Sequence, residues 1–307
     1  KKDALPNGSK ASGQGFIFNL RREKLQDPKV RQAIALMFNF EWSNQTLFFG
    51  LYSRINSVWE NSWLAAEGTP SPEEVAILQP LVDQGLLPAT ILTDPAVMAP
   101  TSGERQLDRK NLKAASALLD EAGWTVGDDG IRRNAKGETL TLTVLNDNPQ
   151  FERVITPFVE NLIALGVDAK LENVDPAQYE ERIRNPAYDF DLIVDSARAG
   201  YFSGSDLKQF YGSETADVSA FNLAGLKSKG VDALIEIVMA AKTKDELTVA
   251  TKALDRALRA EGFWIPQWYK AEHWVAYFDI YSHPDTIPLY GLGAESLWWY
   301  DAAKAEA

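Results

Sequence analysis

The sequence predicts an α/β fold with an at least partly parallel sheet. Three observations carry that prediction. Between Thr139 and Ala197 the chain alternates strand, helix, strand, helix, strand, which requires crossover connections. Around this unit lie helices whose starts are marked by capping residues and whose apolar residues recur at helical spacing. The chain has 307 residues, 45% of them hydrophobic, enough to bury a sizeable core as one large domain or two.

Residues 1–15 are polar and rich in Gly and Ser, and read as a flexible tail. Asp27 caps a helix with Pro28 at its first position and Val30, Ile34, Met37 and Phe38 on one face, reaching towards Trp42. Gln45 to Phe49 continues as an apolar helical turn, and residues 51–63 read as irregular surface chain. The aromatic residues Trp42, Phe48, Phe49, Tyr52, Trp59 and Trp63 suit either a ligand wall or a core. Ser71, Pro72 and Glu74 form a capping box that opens a helix to about Val82. Pro88, Pro95 and Pro100 then hold residues 85–105 in a long loop.

Asp108 caps the next helix, with Leu112, Ala115, Leu118, Leu119 and Ala122 on one face and Gly123 at its end. A hairpin follows, from Trp124–Val126 to Ile131–Arg133. The alternating unit comprises a strand at Thr139–Leu145, a helix marked by Phe151, Val154, Ile155, Phe158, Leu162 and Leu165, a strand at Val167–Val174, a helix at Ala177–Ile183 and a buried strand at Phe190–Val194. Pro157 falls inside the first of these helices and is expected to kink it. Helices at Val231–Ala241 and Asp245–Ala260 follow, the second opened by Thr243 and Glu246 with Leu247, Leu254 and Leu258 inward. Phe263–Tyr269 and His273–Phe278 read as strands. From Ile287 the chain is rich in Gly and aromatics.

Composition excludes several functions. The chain has no cysteine, so disulfides, thiol nucleophiles and Cys-ligated metals are absent. Two histidines are too few for a histidine zinc site. A net charge of -12 with no basic run argues against nucleic acid as a partner. No apolar run approaches the ~20 residues that span a bilayer, and the first residues lack the apolar core of a signal peptide. No phosphate-binding glycine fingerprint or nucleophile elbow is present.

Phe16–Leu20 followed by DPKVRQAIALMFNFEW at 27–42 resembles the segment that opens the second lobe of family 5 extracellular solute-binding proteins, the peptide, nickel and oligopeptide receptors of ABC importers. Residues 61–78, 266–279 and 290–305 are similar to the YejA-type branch, which takes microcin C and oligopeptides. Asn39 departs from the family's usual Asp and is expected to alter a local cap. The resemblance implies a type II periplasmic-binding-protein fold, with this chain as its second lobe: a mixed sheet flanked by helices over 16–286. It further implies that 1–15 links from a first lobe outside this chain and that 287–307 returns to that lobe, leaving Trp298, Trp299 and Tyr300 without their partner surface. The expected role is a monomeric periplasmic receptor, neither enzyme nor cofactor protein. It captures oligopeptides, with peptide-nucleotide compounds of the microcin C kind as a narrower candidate, and delivers them to ABC permease subunits in the inner membrane. A nickel-chelate, haem or sugar ligand is the alternative, since fold alone does not fix ligand.

Site residues centre on the strand and loop at 189–211. A buried strand there runs into a Gly/Ser-rich loop carrying Arg198, Tyr201, Phe202, Ser203 and Asp206. Arg198, Ala199, Gly200 and Tyr201 match an Arg-Ala-Gly-Trp stretch in relatives, where the Arg and the aromatic line the cleft. The family's amine-binding Asp falls at Gly204 here, and Asp206 is the candidate substitute. Arg182 and Arg184 lie near a cleft-facing family arginine in sequence. Asn222 resembles a family Asn that donates to ligand main chain, and equally reads as a turn residue. No catalytic and no metal-binding residue is assigned. A carboxylate-based glycoside hydrolase built on Asp189, Asp191 and Asp195 is the enzyme alternative.

Overall fold

The computed structural model describes residues 1–184, 186–202 and 204–306. In chain order its elements are β1 (Lys2–Pro6), β2 (Gln14–Phe18), α1 (Pro28–Leu36), α2 (Phe40–Phe48), β3 (Ser53–Arg54), α3 (Pro72–Asp83), α4 (Arg109–Glu121), β4 (Thr125–Val126) and β5 (Arg132–Arg133). The central unit follows as β6 (Thr141–Asn146), α5 (Pro149–Ala164), β7 (Asp168–Asn173), α6 (Pro176–Ile183), β8 (Leu192–Ser196) and α7 (Ser205–Tyr211). The remainder comprises α8 (Lys229–Ala240), α9 (Lys244–Glu261), β9 (Trp264–Pro266), β10 (Trp268–Tyr269), β11 (Glu272–Ala276), β12 (Tyr281–Ser282), β13 (Trp299–Tyr300) and α10 (Ala302–Ala305).

The main sheet has the order β7-β6-β8-β2-β9. β6 runs parallel to both β7 and β8, whereas β2 is antiparallel to β8 and to β9, so the sheet is mixed. Strand alternation sends neighbouring residues to two separate cores. On β2, Phe16 and Phe18 face a core built with α1, α2, α4 and α5, while Ile17 faces one built with α3, α6, α7, α8 and α9. On β8, Leu192 and Ile193 divide in the same way. Buried on both faces, these strands read as near-continuous apolar runs rather than as an alternating pattern.

Local chemistry sets the helix boundaries. The Asp27 carboxylate accepts from the Lys29 amide at 2.8 Å, as an N-cap does. The expected continuous helix from Pro28 towards Trp42 is instead two. The chain breaks at Asn39, whose backbone is extended and whose side chain accepts from the Trp42 amide at 2.8 Å to start α2. The Asn39 amide nitrogen also donates to the carbonyls of Gly103 and Arg105, at 3.0 and 2.7 Å, an interaction that the carboxylate usual at this position would not make. Helix α5 continues past Pro157 for two further turns.

Two expectations are corrected, and a third strand is placed. Residues 2–6 are not a loose tail: β1 pairs antiparallel with β11 over five residues, Lys2 opposite Ala276 and Pro6 opposite Glu272. Residues 263–269 do not form one strand. Pro266 ends β9, and the chain passes to β10, which pairs with β3. The strand near 273–278 belongs to the ribbon with β1 and not to the main sheet. Beyond that ribbon, β12 pairs with β13, and Trp299 and Tyr300 are exposed.

Candidate functional site

The adjacent parallel strands β6 and β8 end at Asn146 and Ser196. From β6 the chain turns into α5 on one face of the sheet; from β8 it turns into α7 on the other. Neighbouring strands whose connections leave to opposite faces open a crevice at their carboxyl ends, where ligands bind in α/β folds. The loop from Ala197 to Phe202 lies at that crevice.

Contacts from distant segments hold this loop. The Ala197 amide donates to the Gly13 carbonyl at 2.8 Å. Gly13 has φ +73°, and a Cβ on it would lie 2.1 Å from the Ala197 oxygen, so only glycine fits. The Tyr211 hydroxyl donates to the Arg198 carbonyl at 2.9 Å, and the indole N–H of Trp59 donates to the Gly200 carbonyl at 3.0 Å. The Lys10 amide donates to the Tyr201 hydroxyl at 2.9 Å. The Tyr201 ring stacks on Trp63 with centroids 4.9 Å apart and planes 10° apart, and Tyr290 lies 5.9 Å away on another side. Burial pushes the Tyr201 phenol above its usual range, so the hydroxyl stays protonated at neutral pH.

The sequence-derived candidates fall into two groups. Arg198 is presented, its side chain 56% exposed and only loosely paired with Asp195 at 3.4 Å. Phe202, 81% exposed, is presented in the same loop. Ser203 lies outside the described residues. Tyr201 is present in the same loop but is anchored rather than free. One Asp206 oxygen accepts from the Gly204 amide at 2.6 Å, so that carboxylate fixes the start of α7. Asn222 is fully buried and takes the turn role: its amide donates to the Gly212 carbonyl at 3.0 Å and its oxygen accepts from the Leu226 amide at 3.1 Å, which removes it from the crevice.

Arg182 and Arg184 stand apart from Arg198. Arg182 bonds Glu172 at 2.6 Å and Asp189 at 3.2 Å, while Arg184 pairs with Glu180 at 2.5 Å. Both precede β8, whereas Arg198 follows it, and the strand between them is roughly 13 Å long at about 3.3 Å per step. The three aspartates divide similarly. Asp189 and Asp191 precede the strand and are held by Arg22 and Lys24, at 2.7 and 2.9 Å; Asp191 also accepts from the Thr143 amide at 2.9 Å. Asp195 lies near the far end of β8 and accepts from its neighbour's amide at 2.6 Å. The trio expected to share one strand face is thus divided between two ends of the sheet. Among the described residues, no group of three His, Cys, Asp or Glu is placed to hold a metal ion.

Sequence reasoning missed Lys10 and Tyr290. Both act through long-range contacts to Tyr201, Lys10 from 191 residues away, which no local pattern signals.

The model of bacterial extracellular solute-binding proteins, family 5 Middle, matches residues 1–217. The chain belongs to this family. An Agrobacterium fabrum relative of the family, described as a probable peptide-binding protein YejA, is 38% identical over 302 residues, 97% of this chain and 48% of that protein. Escherichia coli YejA is 34% identical over 305 residues, 99% of this chain and 49% of its own length. The chain therefore spans about half the length of the curated relatives it matches. Among solved structures, the oligopeptide-binding protein AppA from Bacillus subtilis, in complex with a nonapeptide, superimposes with a TM-score of 0.67 at 18% identity, covering 98% of this chain and 52% of that one. At that identity the likeness shows the fold, which is the type II periplasmic-binding-protein fold. These relatives are solute-binding proteins, and no helix among the described residues is long and apolar enough to cross a membrane.

Proposed function

We propose that this chain is the second lobe of a periplasmic receptor that captures oligopeptides between two lobes and hands them to the permease of an ABC importer in the inner membrane. The observation that carries this reading is the loop at 197–202, held rigid at the sheet's carboxyl edge while Arg198 is left exposed. A guanidinium held in that way suits a ligand carboxylate, and carboxylates favour the planar two-pronged contact that arginine offers. Family membership and the printed names of the relatives support peptides as the ligand class. Compounds of the microcin C kind are the narrower candidate. In this reading 1–15 and 287–307 adjoin the first lobe, the ribbon of β1 and β11 is the hinge, and Trp299 and Tyr300 meet the partner lobe. The receptor works as a monomer, closes about the hinge and catalyses nothing.

Arg198→Ala is expected to weaken peptide binding about 10- to 100-fold, the range for losing a hydrogen bond to a charged group. Calorimetry on the complete protein measures it. An unchanged affinity would remove Arg198 from the ligand. Native mass spectrometry of the protein purified without denaturation tests the ligand class: released masses forming a peptide ladder are expected, and a single non-peptide mass would overturn the peptide reading.

A further inference from the structure

Two lysines from separate segments adjoin the Trp63–Tyr201 stack, and Arg198 belongs to the same loop as Tyr201. The Lys10 backbone amide donates to the Tyr201 hydroxyl at 2.9 Å, and the Lys244 ammonium lies 5.2 Å from the Trp63 ring centroid. Their counter-charge is nearly absent. Arg198 has only the loose Asp195 contact at 3.4 Å, an exposed pair worth little. Lys244 makes its ring contact and no ion pair among the described residues.

Lys10 is the most constrained of the three. Its ammonium donates to the Ala11 carbonyl at 2.8 Å and to the Val58 carbonyl at 3.4 Å, with no Asp or Glu among the described residues paired to it. The side chain is half-buried, and burial alone pushes its pKa down. Two neutral carbonyls leave one of three N–H donors and the whole charge uncompensated. A desolvated charge is costly until an opposite charge arrives. The segment cannot easily move the group away. Asn61 donates to the carbonyls of Asn7 and Ser9, both at 2.8 Å, and the Ala11 amide donates to the Glu60 carbonyl at 3.0 Å.

We infer that this corner is an anion site in which Lys10 receives a carboxylate of the ligand while an apolar group beside that carboxylate packs on Trp63 and Tyr201. This rests on the peptide-receptor reading and narrows it to peptides with a free terminal carboxylate or an acidic side chain next to a large apolar residue. The carboxylate neutralises Lys10 where no Asp or Glu among the described residues does.

The test uses the complete protein and its Lys10→Met variant, which keeps the aliphatic stem. Calorimetry compares Ala-Phe-Ala, its terminal amide, and Ala-Phe-Glu terminal amide. Wild type is expected to bind an acidic form about tenfold more tightly than the neutral amide, and Lys10→Met to abolish that preference without weakening the neutral amide. Preference for Ala-Phe-Ala identifies a terminal carboxylate; preference for the glutamyl amide identifies a side chain. Equal binding of all three by wild type, or an equal loss of all three in the variant, overturns the inference. A second readout does not depend on peptides. The NMR signal of the Lys10 Cε, assigned by its loss in Lys10→Met, is expected to shift on titration with citrate. A shift with no peptide bound would leave the anion site standing and remove the peptide reading. An unmoved signal would overturn the anion site whatever the peptides do.

Discussion

Glu74→Ala is expected to cost about 3–5 kcal/mol of folding stability, the effect of stranding one member of a buried ion pair. Glu74 is 4% exposed and Arg256 2%, and the carboxylate accepts from the Arg256 Nε at 2.6 Å. The other guanidinium nitrogens donate to the carbonyls of Gly68 and Glu67, at 2.7 and 2.9 Å. Removing Glu74 therefore leaves a full charge without its partner in a site closed to water. Replacing both residues together, Glu74→Leu with Arg256→Met, is expected to recover most of the loss, because neither charge then remains desolvated. Urea unfolding measures each variant, with the midpoint moving and the slope unchanged. A loss below about 1 kcal/mol for Glu74→Ala would mean that water reaches Arg256 and that the pair is not the clamp described.

That pair belongs to a larger device. On the adjacent turns of α9, Asp255 accepts from the Ser57 hydroxyl at 2.8 Å and the Ala66 amide at 2.9 Å, and Arg259 bonds Asp255 at 2.7 Å and the Ala66 carbonyl at 3.0 Å. Burial raises the Asp255 pKa against the pull of Arg259 and these donors. An irregular segment of about a dozen residues is thus satisfied by one helix rather than by its own secondary structure, as buried backbone requires. The same segment carries Trp59 and Trp63 to the loop after β8, where they meet Gly200 and Tyr201. Stability on this side of the sheet and geometry at the crevice are therefore coupled through α9.

The parts of the fold that were legible in the sequence are those with local causes. The caps at Asp27, Ser71, Asp108 and Thr243 accept from the amides expected of them, and the alternation at 139–197 produces parallel strands. Helix α9 was legible as a helix but not as a clamp. Leu254 and Leu258 point inward as periodicity requires, yet Asp255, Arg256 and Arg259 are buried too, and charged residues by themselves signal a solvated face. Only the path of residues 56–68 across that face explains them. The loop after β8 was legible as a candidate site from the strand that runs into it and from its resemblance to relatives. The roles within it were not: Asp206 is drawn to a local amide and Asn222 to a turn, and both outcomes depend on backbone geometry. The ends were misread because β1 is a strand only by virtue of β11, some 270 residues later.

Trp59 is where packing and site meet, and its two substitutions are expected to separate them. The side chain is fully buried in the core beside α9, and its only polar atom donates to the Gly200 carbonyl at 3.0 Å. Trp59→Ala removes the ring and the hydrogen bond together, and is expected to cost about 3–5 kcal/mol, the usual range for deleting a large buried aromatic. Trp59→Phe keeps most of the contact area but no donor. The hydrogen bond is only part-buried, so the stability cost should stay near 1–2 kcal/mol, mostly from the smaller ring. What changes is the loop. With one of its tethers cut, amide exchange across 198–202 should accelerate while exchange in β8 is unaffected, and Arg198 should lose its fixed position. Peptide affinity is then expected to fall in Trp59→Phe by more than its stability loss explains, at a temperature where the variant is fully folded. Unchanged exchange at 198–202 would show that Gly13, Tyr211 and Lys10 suffice to hold the loop, and would return Trp59 to a purely packing role.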